Sequence, residues 1–317
     1  MAGIEQRLGE ETACPLTQGV LLRNMSTWRI GGRTEMLAKA RSMEEAARVF
    51  AVCGQEKVPV TLVGGGSNLL FDDKGVNGVV LVLCPDAAPV SIEGQRVLAG
   101  GGADVGRVAR MAARAGLSGL EHASNIPGTL GGLVVMNGGS NRRSIGENVV
   151  RVTAMDRLGK LHTFDREACN FAYRTSRFQD GNLLVAEVEL ELEPGDTQAI
   201  VQAIVDDLAV REGKFPLNKP SCGSVFKSSP GLYEAFGPPG MVIDRLGLKG
   251  MREGEVQVSP VHANFFVNLG KASSEQVMAL VDRVRQKVLG ETGYAMECEV
   301  RHVSPDGDIA PLHLRLG

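Results

Sequence analysis

The chain has 317 residues, enough for two or three domains with large cores, which excludes a small peptide module. Lys and Arg total 34 against 37 for Asp and Glu, so long-range charge favours neither nucleic acid nor an anionic membrane as a partner. The polar, acidic N-terminus does not resemble a signal peptide, and no apolar run has membrane-spanning length. We expect a soluble, cytoplasmic monomer.

The cysteines are widely scattered, without the C-x-x-C spacing that is typical of zinc and redox sites. There are six of them: Cys14, Cys53, Cys84, Cys169, Cys222 and Cys298. We therefore expect reduced thiols and no metal site. Glycine is abundant, with 40 residues, and aromatic residues are few, so we expect main-chain amides to carry much of the chemistry.

The first helix signal is a predicted capping box of Ser42 and Glu45, ahead of apolar residues at helical spacing through about Gln55. This helix leads into the short strand VTLV at 60–63, which ends on glycines, and GVVLVL at 78–83 follows as another strand. The order predicts a βαβ-like unit with a glycine turn.

The order of strand, glycine turn and helix then recurs. Residues 91–102 are predicted to form a strand pair that closes on three glycines, and the helix that begins near Val105 stops at Gly116. A second glycine-dense stretch, SNIPGTLGGLVVMNGGS, covers 124–140. Three further strands are predicted, at 149–156, 160–164 and 183–192.

The C-terminal part begins with a helix that Asp196 is placed to cap. Its apolar residues are Ile200, Ala203, Ile204 and Leu208. After residue 212 the chain is rich in loops, with strands predicted at 255–258 and 264–268.

The last predicted helix starts near Ser273, where Gln276 completes a capping box. One face of this helix is apolar: Val277, Leu280, Val281, Val284 and Val288. The tail from Ser304 onward is expected to be irregular or loosely docked.

The glycine triplet in VTLVGGGSNLLF, residues 60–71, allows consecutive amides to converge on an anion such as a pyrophosphate. A plain strand-to-strand turn is the alternative, although the second glycine-dense stretch favours the anion site. Leu69 stands where a dinucleotide fingerprint has its third glycine, and no Walker A motif occurs. Composition alone thus indicates a nucleotide-type anion held by backbone.

Eight short motifs, spread in order over residues 20–303, together resemble one family. They are NMSTWRIGG (24–32), VGGGSNLL (63–70), NIPGTLGG (125–132), FAYRTS (171–176), CGSVFK (222–227), MVIDRLGLKG (241–250), QVSPVHANFFVN (257–268) and ECEVR (297–301). The family is that of the UDP-N-acetylenolpyruvoylglucosamine reductases, the MurB family of peptidoglycan synthesis.

The resemblance implies an α+β fold, with a two-part FAD-binding domain of the vanillyl-alcohol oxidase class and a C-terminal α+β substrate-binding domain. The expected divisions are 1–85 and 86–196 for the FAD-binding subdomains, 197–303 for the substrate-binding domain and 304–317 for the tail.

By the same resemblance, a first group of residues wraps the FAD pyrophosphate with backbone amides: Gly64, Gly65, Gly66, Ser67 and Asn68. A second group passes close to the other side of the flavin: Asn125, Ile126, Gly128, Gly131 and Gly132. The implied reaction moves hydride from NADPH to FAD and then to the enolpyruvyl group of the nucleotide sugar, which gives UDP-N-acetylmuramate.

Three positions match the catalytic residues of the family. Arg174 offers a cationic fork for the substrate carboxylate, with a surface ion pair as the alternative. Ser224 is the implied proton donor to carbon, with a turn serine as the alternative. Glu299 is implied to orient Arg174 or water, or to share in proton movement. The alternative is a solvated strand face, because alternation places Glu297, Glu299 and Arg301 on one side of a strand.

Lys214 and Lys227 match positions near the nucleotide of the substrate, and Arg211 is a weaker candidate for the same role. Each has a plain solvent-facing alternative. For His262 a structural hydrogen bond is preferred to catalysis, and for Cys222 a buried thiol is preferred to a nucleophile.

The chain also departs from the family pattern. Ser228-Ser229-Pro230 replaces the usual Asn-Pro, and MNGGSNRRSIG replaces the usual MNAGAYG, which puts the contacts of 138–146 in doubt. The chain resembles the family branch that lacks an inserted loop with a substrate-closing tyrosine, so none is assigned. The rival functions are an oxidase of the same flavin class and a nucleotide-binding protein without catalysis.

Overall fold

Two compact units make up the structure, a computed structural model that describes residues 2–316. The first unit contains the residues up to Gly19, Glu35–Gly65 and Gly78–Val210. The second contains Val20–Thr34, Gly66–Asn77 and the residues from Arg211 onward. The domain limits given by the resemblance remain a prediction.

Helices and short strands alternate irregularly along the described chain, as an α+β fold requires. The helices are α1 (Ala2–Glu11), α2 (Met43–Gln55), α3 (Val105–Arg114), α4 (Leu130–Val135), α5 (Thr197–Lys214), α6 (Pro230–Phe236), α7 (Pro239–Arg245) and α8 (Ser274–Thr292). None of these helices combines the length and apolarity that crossing a bilayer requires, within residues 2–316.

The strands are mostly short. They are β1 (Leu16–Gln18), β2 (Thr34–Ala40), β3 (Val60–Leu62), β4 (Leu69–Phe71), β5 (Val76–Leu83), β6 (Val90–Glu93), β7 (Arg96–Gly100), β8 (Leu117–Ser118), β9 (Val149–Met155), β10 (Leu161–Asp165), β11 (Leu184–Glu191), β12 (Glu193–Pro194), β13 (Arg252–Glu253), β14 (Val256–Val258), β15 (Phe266–Asn268), β16 (Arg301–Val303) and β17 (Ile309–Pro311).

One sheet of the first unit has the order β1-β2-β5-β3. The two predicted strands are present as β3 and β5 and run parallel, with α2 before β3 as predicted, but the chain between them carries the glycine turn and β4 and no helix. Ser42 caps α2 by accepting from the amide of Glu45 at 3.2 Å. The predicted capping box forms only in part, because the Glu45 carboxylate accepts from the amide of Arg41 and not from that of Ser42.

The second sheet of this unit, with the order β10-β9-β11-β7-β6, has antiparallel neighbours throughout. α3 shares its apolar core, which explains the run of small and branched residues on one face of that helix. Asp104 caps α3 by accepting from Arg107, and Gly116 follows the helix with φ +71°, a left-handed conformation that glycine adopts without strain. The predicted stop at Gly116 is therefore confirmed.

The second unit contains two three-stranded sheets, β13-β14-β15 and β17-β16-β4. The predicted capping box of Ser273 and Gln276 forms at the start of α8, and the predicted apolar face of this helix is buried. Trp28 is fully buried, donates from Nε1 to the carbonyl oxygen of Phe266 at 2.8 Å and accepts from Asn268. These bonds give the NMSTWRIGG motif a structural role in this unit.

The prediction of an irregular, loosely docked tail is wrong. Residues 304–308 make a turn that ends in Gly307 with φ +81°, and β17 returns antiparallel to β16. Leu312 is fully buried beyond it and donates its amide to Val300 at 3.0 Å. The missed signal was Asp306-Gly307, a turn pair of the kind that closes a hairpin.

Asp196 caps α5 as predicted, by accepting from the amide of Ala199 at 2.8 Å. The apolar residues of this helix are nevertheless largely outside the core. Ile200 is the buried one among the described residues of α5, whereas Val201, Val205 and Leu208 are exposed.

Candidate active site

The loop Gly64–Asn68 presents a run of main-chain amides. Among residues 2–316, none of these five amides donates to a protein acceptor, whereas the preceding amide of Val63 donates to Leu81 at 3.0 Å. Main-chain donors in folded proteins nearly always have a partner, so consecutive amides of this kind point to solvent or a ligand. The loop fits the predicted pyrophosphate of FAD, because such a run of amides is a typical anion nest.

The glycines of this loop are also required by the packing of the protein itself. A Cβ on Gly64 would lie 2.6 Å from Thr129 Oγ1, and one on Gly65 would lie 2.7 Å from the Cα of Gly128. Gly66 has φ +63°, and a Cβ there would overlap the carbonyl oxygen of Met25. Side chains are therefore excluded here by neighbouring atoms of the protein itself, the Thr129 hydroxyl and the backbone of Gly128 and Met25.

Asn125, predicted to contact the cofactor, directs its side chain to α5. Its Nδ2 donates to Asp207 Oδ2 at 3.0 Å and to the carbonyl oxygen of Ile204 at 3.1 Å. The side-chain amide of Asn125 therefore has a partner within the protein.

The rest of the 125–132 stretch uses several of its amides internally. Ile126 donates to Ala123 at 3.0 Å, Gly131 donates to Gly101 at 2.8 Å, and Gly132 donates to Thr129 Oγ1 at 3.3 Å. These residues are thus available to a cofactor through close backbone approach and less through hydrogen-bond donation.

Arg174 lies in the first unit at a tight turn, where its own φ is +53°. One guanidinium nitrogen donates to the carbonyl oxygen of Gly139 at 3.0 Å, and the guanidinium lies over the ring of Tyr173. Gln179 Nε2 donates to the carbonyl oxygen of Arg174 at 2.9 Å. A left-handed arginine is an uncommon, strained backbone state, and such states concentrate at functional positions.

Ser224 lies in the second unit on an extended segment that pairs with Phe265. The next two residues are held by the buried Asn264, whose carbonyl oxygen accepts from Val225 at 2.8 Å. The Asn264 side chain accepts from the amide of Phe226 at 3.0 Å and donates to its carbonyl at 2.9 Å. Main-chain bonds therefore position the segment that carries Ser224.

Glu299 lies on the segment next to that of Ser224. Its amide donates to the carbonyl oxygen of Val225 at 2.8 Å, and its own carbonyl accepts from Asn68 Nδ2 at 3.1 Å. The second unit therefore brings together the end of the glycine loop, the Glu299 segment and the Ser224 segment. Arg174 belongs to the first unit.

The alternative weighed for Glu299, a solvated strand face shared with Glu297 and Arg301, does not hold at Arg301. Arg301 is buried, with 8% of its surface exposed, and donates to the carbonyl oxygen of Ile309 at 2.9 Å. Burial lowers its pKa from the ordinary value for arginine. The strand β17, absent from the prediction, pairs with β16 and supplies this acceptor.

The two predicted substrate lysines have different surroundings. Lys227 donates its amide to the carbonyl oxygen of Glu297, and its Nζ lies 3.8 Å from that carboxylate. Lys214 is exposed at the end of α5, with Nζ 5.5 Å from the ring centroid of Phe215. The Arg211 guanidinium lies 5.3 Å from the same ring, so two cations border one aromatic side chain.

An aromatic cluster that the sequence analysis missed adjoins Ser224. Phe215 and Phe265 are stacked with centroids 4.8 Å apart, and His262 meets them edge-on at 5.2 and 5.0 Å. Phe265 is also the residue that pairs with Ser224. The signal available in the sequence was the placement of Phe215 directly after Lys214 and of Phe265 within the HANFFVN motif.

His262 is held as a neutral ring. Burial lowers its pKa to about 4, and the nearby charges of Lys214 and Lys249 act in the same direction, against a smaller opposing effect of Asp244. Its Nδ1 accepts from the amide of Asn264 at 3.3 Å. These contacts agree with a structural hydrogen-bonding role and disfavour an acid–base role near neutral pH.

This depressed pKa predicts a loss of stability in acid. Because the unfolded pKa is about 6.5 and the folded pKa lies below it, His262 stabilises the fold above pH ~6.5, and this contribution is lost as pH falls towards 4. Melting temperatures between pH 7 and 4.5 should fall less steeply in His262→Gln than in the unsubstituted protein. His162→Gln, at a partly exposed histidine paired with Asp156, should not reduce the fall. Equal slopes for the unsubstituted protein and His262→Gln would contradict this assignment.

Cys222 does not have the surroundings of a nucleophile. Its thiol is buried and lies 3.3 Å from the carbonyl oxygen of Leu69 and 3.5 Å from Thr27 Oγ1. Burial raises its pKa to about 11, so the thiol stays protonated near neutral pH.

Two family models match the chain. An FAD binding domain model matches residues 34–165, and the model of the C-terminal domain of UDP-N-acetylenolpyruvoylglucosamine reductase matches residues 215–303. The matches confirm the predicted FAD cofactor and the predicted α+β class, in which an FAD-binding part precedes a C-terminal domain.

Similar proteins carry the same name. UDP-N-acetylenolpyruvoylglucosamine reductase 1 of Corynebacterium glutamicum is 41% identical over 98% of this chain and 92% of its own length. UDP-N-acetylenolpyruvoylglucosamine reductase 2 of Symbiobacterium thermophilum is 39% identical over 88% of this chain and 89% of its own length.

A solved structure agrees with these relatives. The reductase (MurB) of Thermus caldophilus superimposes with a TM-score of 0.78 at 31% identity, over 91% of this chain and 99% of that one. The family models, the relatives and this structure agree over almost the whole sequence, and the chain belongs to the UDP-N-acetylenolpyruvoylglucosamine reductase family.

Proposed function

We propose that this protein reduces UDP-N-acetylglucosamine enolpyruvate to UDP-N-acetylmuramate, a step of peptidoglycan precursor synthesis, with FAD as bound cofactor and NADPH as hydride donor. The observation that carries the proposal is the continuity of contacts in the second unit. Asn68, at the end of the glycine loop, binds the Glu299 carbonyl, and the Glu299 amide binds Val225 beside Ser224. An anion-binding loop therefore leads directly to two residues suited to proton chemistry.

When bound, FAD supplies reversible hydride chemistry between the nicotinamide and the enolpyruvyl carbon. The amides of Gly64–Asn68 hold its pyrophosphate in this proposal, because they are consecutive donors without an acceptor within residues 2–316 and the first three residues are glycines. In this proposal the 125–132 stretch adds close approach of backbone to the flavin at Gly128, Gly131 and Gly132.

Arg174 binds the substrate carboxylate in this proposal. Hydride addition to the terminal carbon develops negative charge next to that carboxylate, and a planar guanidinium matches it with two parallel hydrogen bonds. Gly139 and Gln179 already fix the guanidinium and the backbone of this residue, so little reorganisation is required when the charge develops.

Ser224 delivers the proton to the carbon next to the carboxylate. A hydroxyl is a weak acid, but the enolate-like carbon it faces is strongly basic, so the transfer is favourable. Glu299, on the segment next to that of Ser224, orients the reacting groups or takes part in the proton transfer. Lys214 and Lys227 neutralise phosphates of the uridine diphosphate. The Phe215 ring, which lies between Lys214 and Phe265, offers a flat apolar surface next to Lys214.

We also place the reaction in the cytoplasm, carried out by a monomer. The six cysteines are free thiols, as is usual in a reducing compartment. Light scattering of the purified protein tests the monomer, for which a mass near 33.7 kDa is expected.

Anaerobic spectroscopy of the purified protein tests the proposed function. The protein should be yellow, lose its flavin absorbance with NADPH, and regain it when the enolpyruvyl nucleotide is added without oxygen. Recovery of colour with oxygen alone would support an oxidase of the same flavin class. A colourless protein that takes up no FAD would refute a flavin enzyme altogether.

A further inference from the structure

The carboxylate of Asp207, on α5 in the first unit, joins two loops through two side-chain amides. Its Oδ2 accepts from Asn125 Nδ2, and its Oδ1 accepts from Asn141 Nδ2, both at 3.0 Å. Asn125 begins the 125–132 stretch, and Asn141 lies in the divergent stretch 138–146. The two oxygens of one carboxylate therefore accept hydrogen bonds from two different loops.

Apolar packing contributes little to this part of α5. Ile200 is the buried side chain among its described residues, while Val201, Val205 and Leu208 are exposed. The Asp207 carboxylate and the Ile204 carbonyl, which also accepts from Asn125, thus supply directional contacts between the helix and the loops. Hydrogen bonds to an ionised group are stronger and more orienting than neutral ones.

Both loops lead to residues with a role in the proposed reaction. In the first loop, the backbone of Gly128 lies so close to Gly65 that a Cβ on Gly65 would be 2.7 Å from the Gly128 Cα. In the second loop, the carbonyl oxygen of Gly139 accepts from the Arg174 guanidinium at 3.0 Å. A shift of the first loop would displace the glycine turn at Gly65, and a shift of the second loop would displace the guanidinium of Arg174.

The divergent stretch itself fits this arrangement. Asn141 has φ +54°, a left-handed conformation that asparagine tolerates better than most residues. The asparagine therefore supplies both the backbone conformation and the donor.

We propose that Asp207 is a positioning residue of this reductase, which sets the cofactor loop through Asn125 and the Arg174 loop through Asn141. The inference rests on the proposed function for the roles of the glycine loop and Arg174. Asp207 lies outside the glycine loop and outside the Arg174 loop, and in this proposal it connects FAD binding with the half-reaction of the substrate.

Asp207→Asn tests the proposal with little change of volume. The carboxamide keeps one acceptor oxygen and carries no charge, so one of the two amides must turn or lose its contact, and both lose a charge-assisted bond. We expect the dissociation constant for FAD to rise, or flavin reoxidation by the enolpyruvyl nucleotide to slow, by about 10-fold, the scale of one hydrogen bond to a charged group at a partly exposed site. Asp206→Asn, which removes a carboxylate bonded to Gln202 alone in the described structure, should leave both quantities unchanged.

Double variants separate positioning from general stability. FAD affinity in Asp207→Asn/Asn125→Ala should equal that of the weaker-binding single variant, and reoxidation in Asp207→Asn/Asn141→Ala should equal that of the slower single variant. Additive losses in both pairs, a lowered melting temperature without change in affinity or rate, or unsubstituted behaviour of Asp207→Asn would overturn the proposal. If the unsubstituted protein binds FAD but does not turn over, the proposed reaction fails, while the Asn125 pair still tests Asp207 through FAD affinity.

Discussion

Replacing Ser224 by alanine should leave reduction of the bound flavin by NADPH unchanged and slow its reoxidation by the enolpyruvyl nucleotide by at least about 100-fold, the lower range for losing a general acid. The hydroxyl is needed only where a proton reaches carbon. The segment should keep its position, because the main chain of Val225 and Phe226 bonds Asn264 independently of the serine side chain. Stopped-flow absorbance of the two half-reactions measures the difference.

Ser229→Ala is the matched control for this variant. Ser229 is exposed, lies five residues along the same loop, and its side chain makes no capping bond at the start of α6. Both half-reactions should proceed normally in it. If Ser224→Ala slows the two half-reactions equally, Ser224 is not the proton donor and acts on cofactor placement instead.

The second large effect is expected at the glycine loop, where Gly66→Ala should abolish retention of FAD during purification. The residue has φ +63°, and its new Cβ would overlap the carbonyl oxygen of Met25, so the loop must open and its amides diverge. We expect the FAD dissociation constant to rise more than about 100-fold, as expected when several charge-assisted bonds are lost together. Titration of the apoprotein, followed by flavin fluorescence, measures it.

A helical glycine of the same unit provides the comparison. Gly290 lies in α8, and a Cβ there would meet nothing within 4 Å. Gly290→Ala should bind FAD normally and unfold at a slightly higher temperature, because alanine favours the helix by about 1 kcal/mol at most. Gly65→Ala, whose Cβ would meet Gly128, offers a second route to the same loss if Gly66→Ala does not fold. If Gly66→Ala and Gly65→Ala both bind FAD with normal affinity, the amides of this loop are not part of the cofactor site.

Local patterns in the sequence predicted local structure well. The capping box at Ser273 and the valine-rich face of α8 both follow from spacings within one or two turns, and both are present. The stop of α3 at Gly116 depends on the conformation of a single residue and was equally accessible. Such features need no knowledge of what packs against them.

The features that sequence reasoning missed depend on partners far along the chain. Arg301 is buried because β17 pairs with its strand, and β17 depends on a turn at Gly307 that was not recognised. Phe215 joins the surroundings of Ser224 through its stacking on Phe265, 50 residues further along the chain. Periodicity can place a residue on a face of its own element, but it does not reveal which element covers that face.

The site shows the same division. The motif match selected Ser224 and Glu299, and the structure adds that their segments are paired through main-chain bonds from the Glu299 amide to Val225 and from the Lys227 amide to Glu297. For Asn125 the match implied the flavin, whereas the side chain binds Asp207, a residue outside every motif. Resemblance assigns residues to a site, and the contacts show how each one is held there.

The side-chain amide of Asn264 accepts from the main-chain amide of Phe226 and donates to its carbonyl oxygen. One side chain therefore makes the pair of hydrogen bonds that a neighbouring strand normally makes. The ring of Phe226 packs in the apolar core against Phe266, whereas its main chain is held by the Asn264 amide. A substitution that changes the ring at position 226 would therefore leave in place the polar contacts that fix the main chain two residues from Ser224.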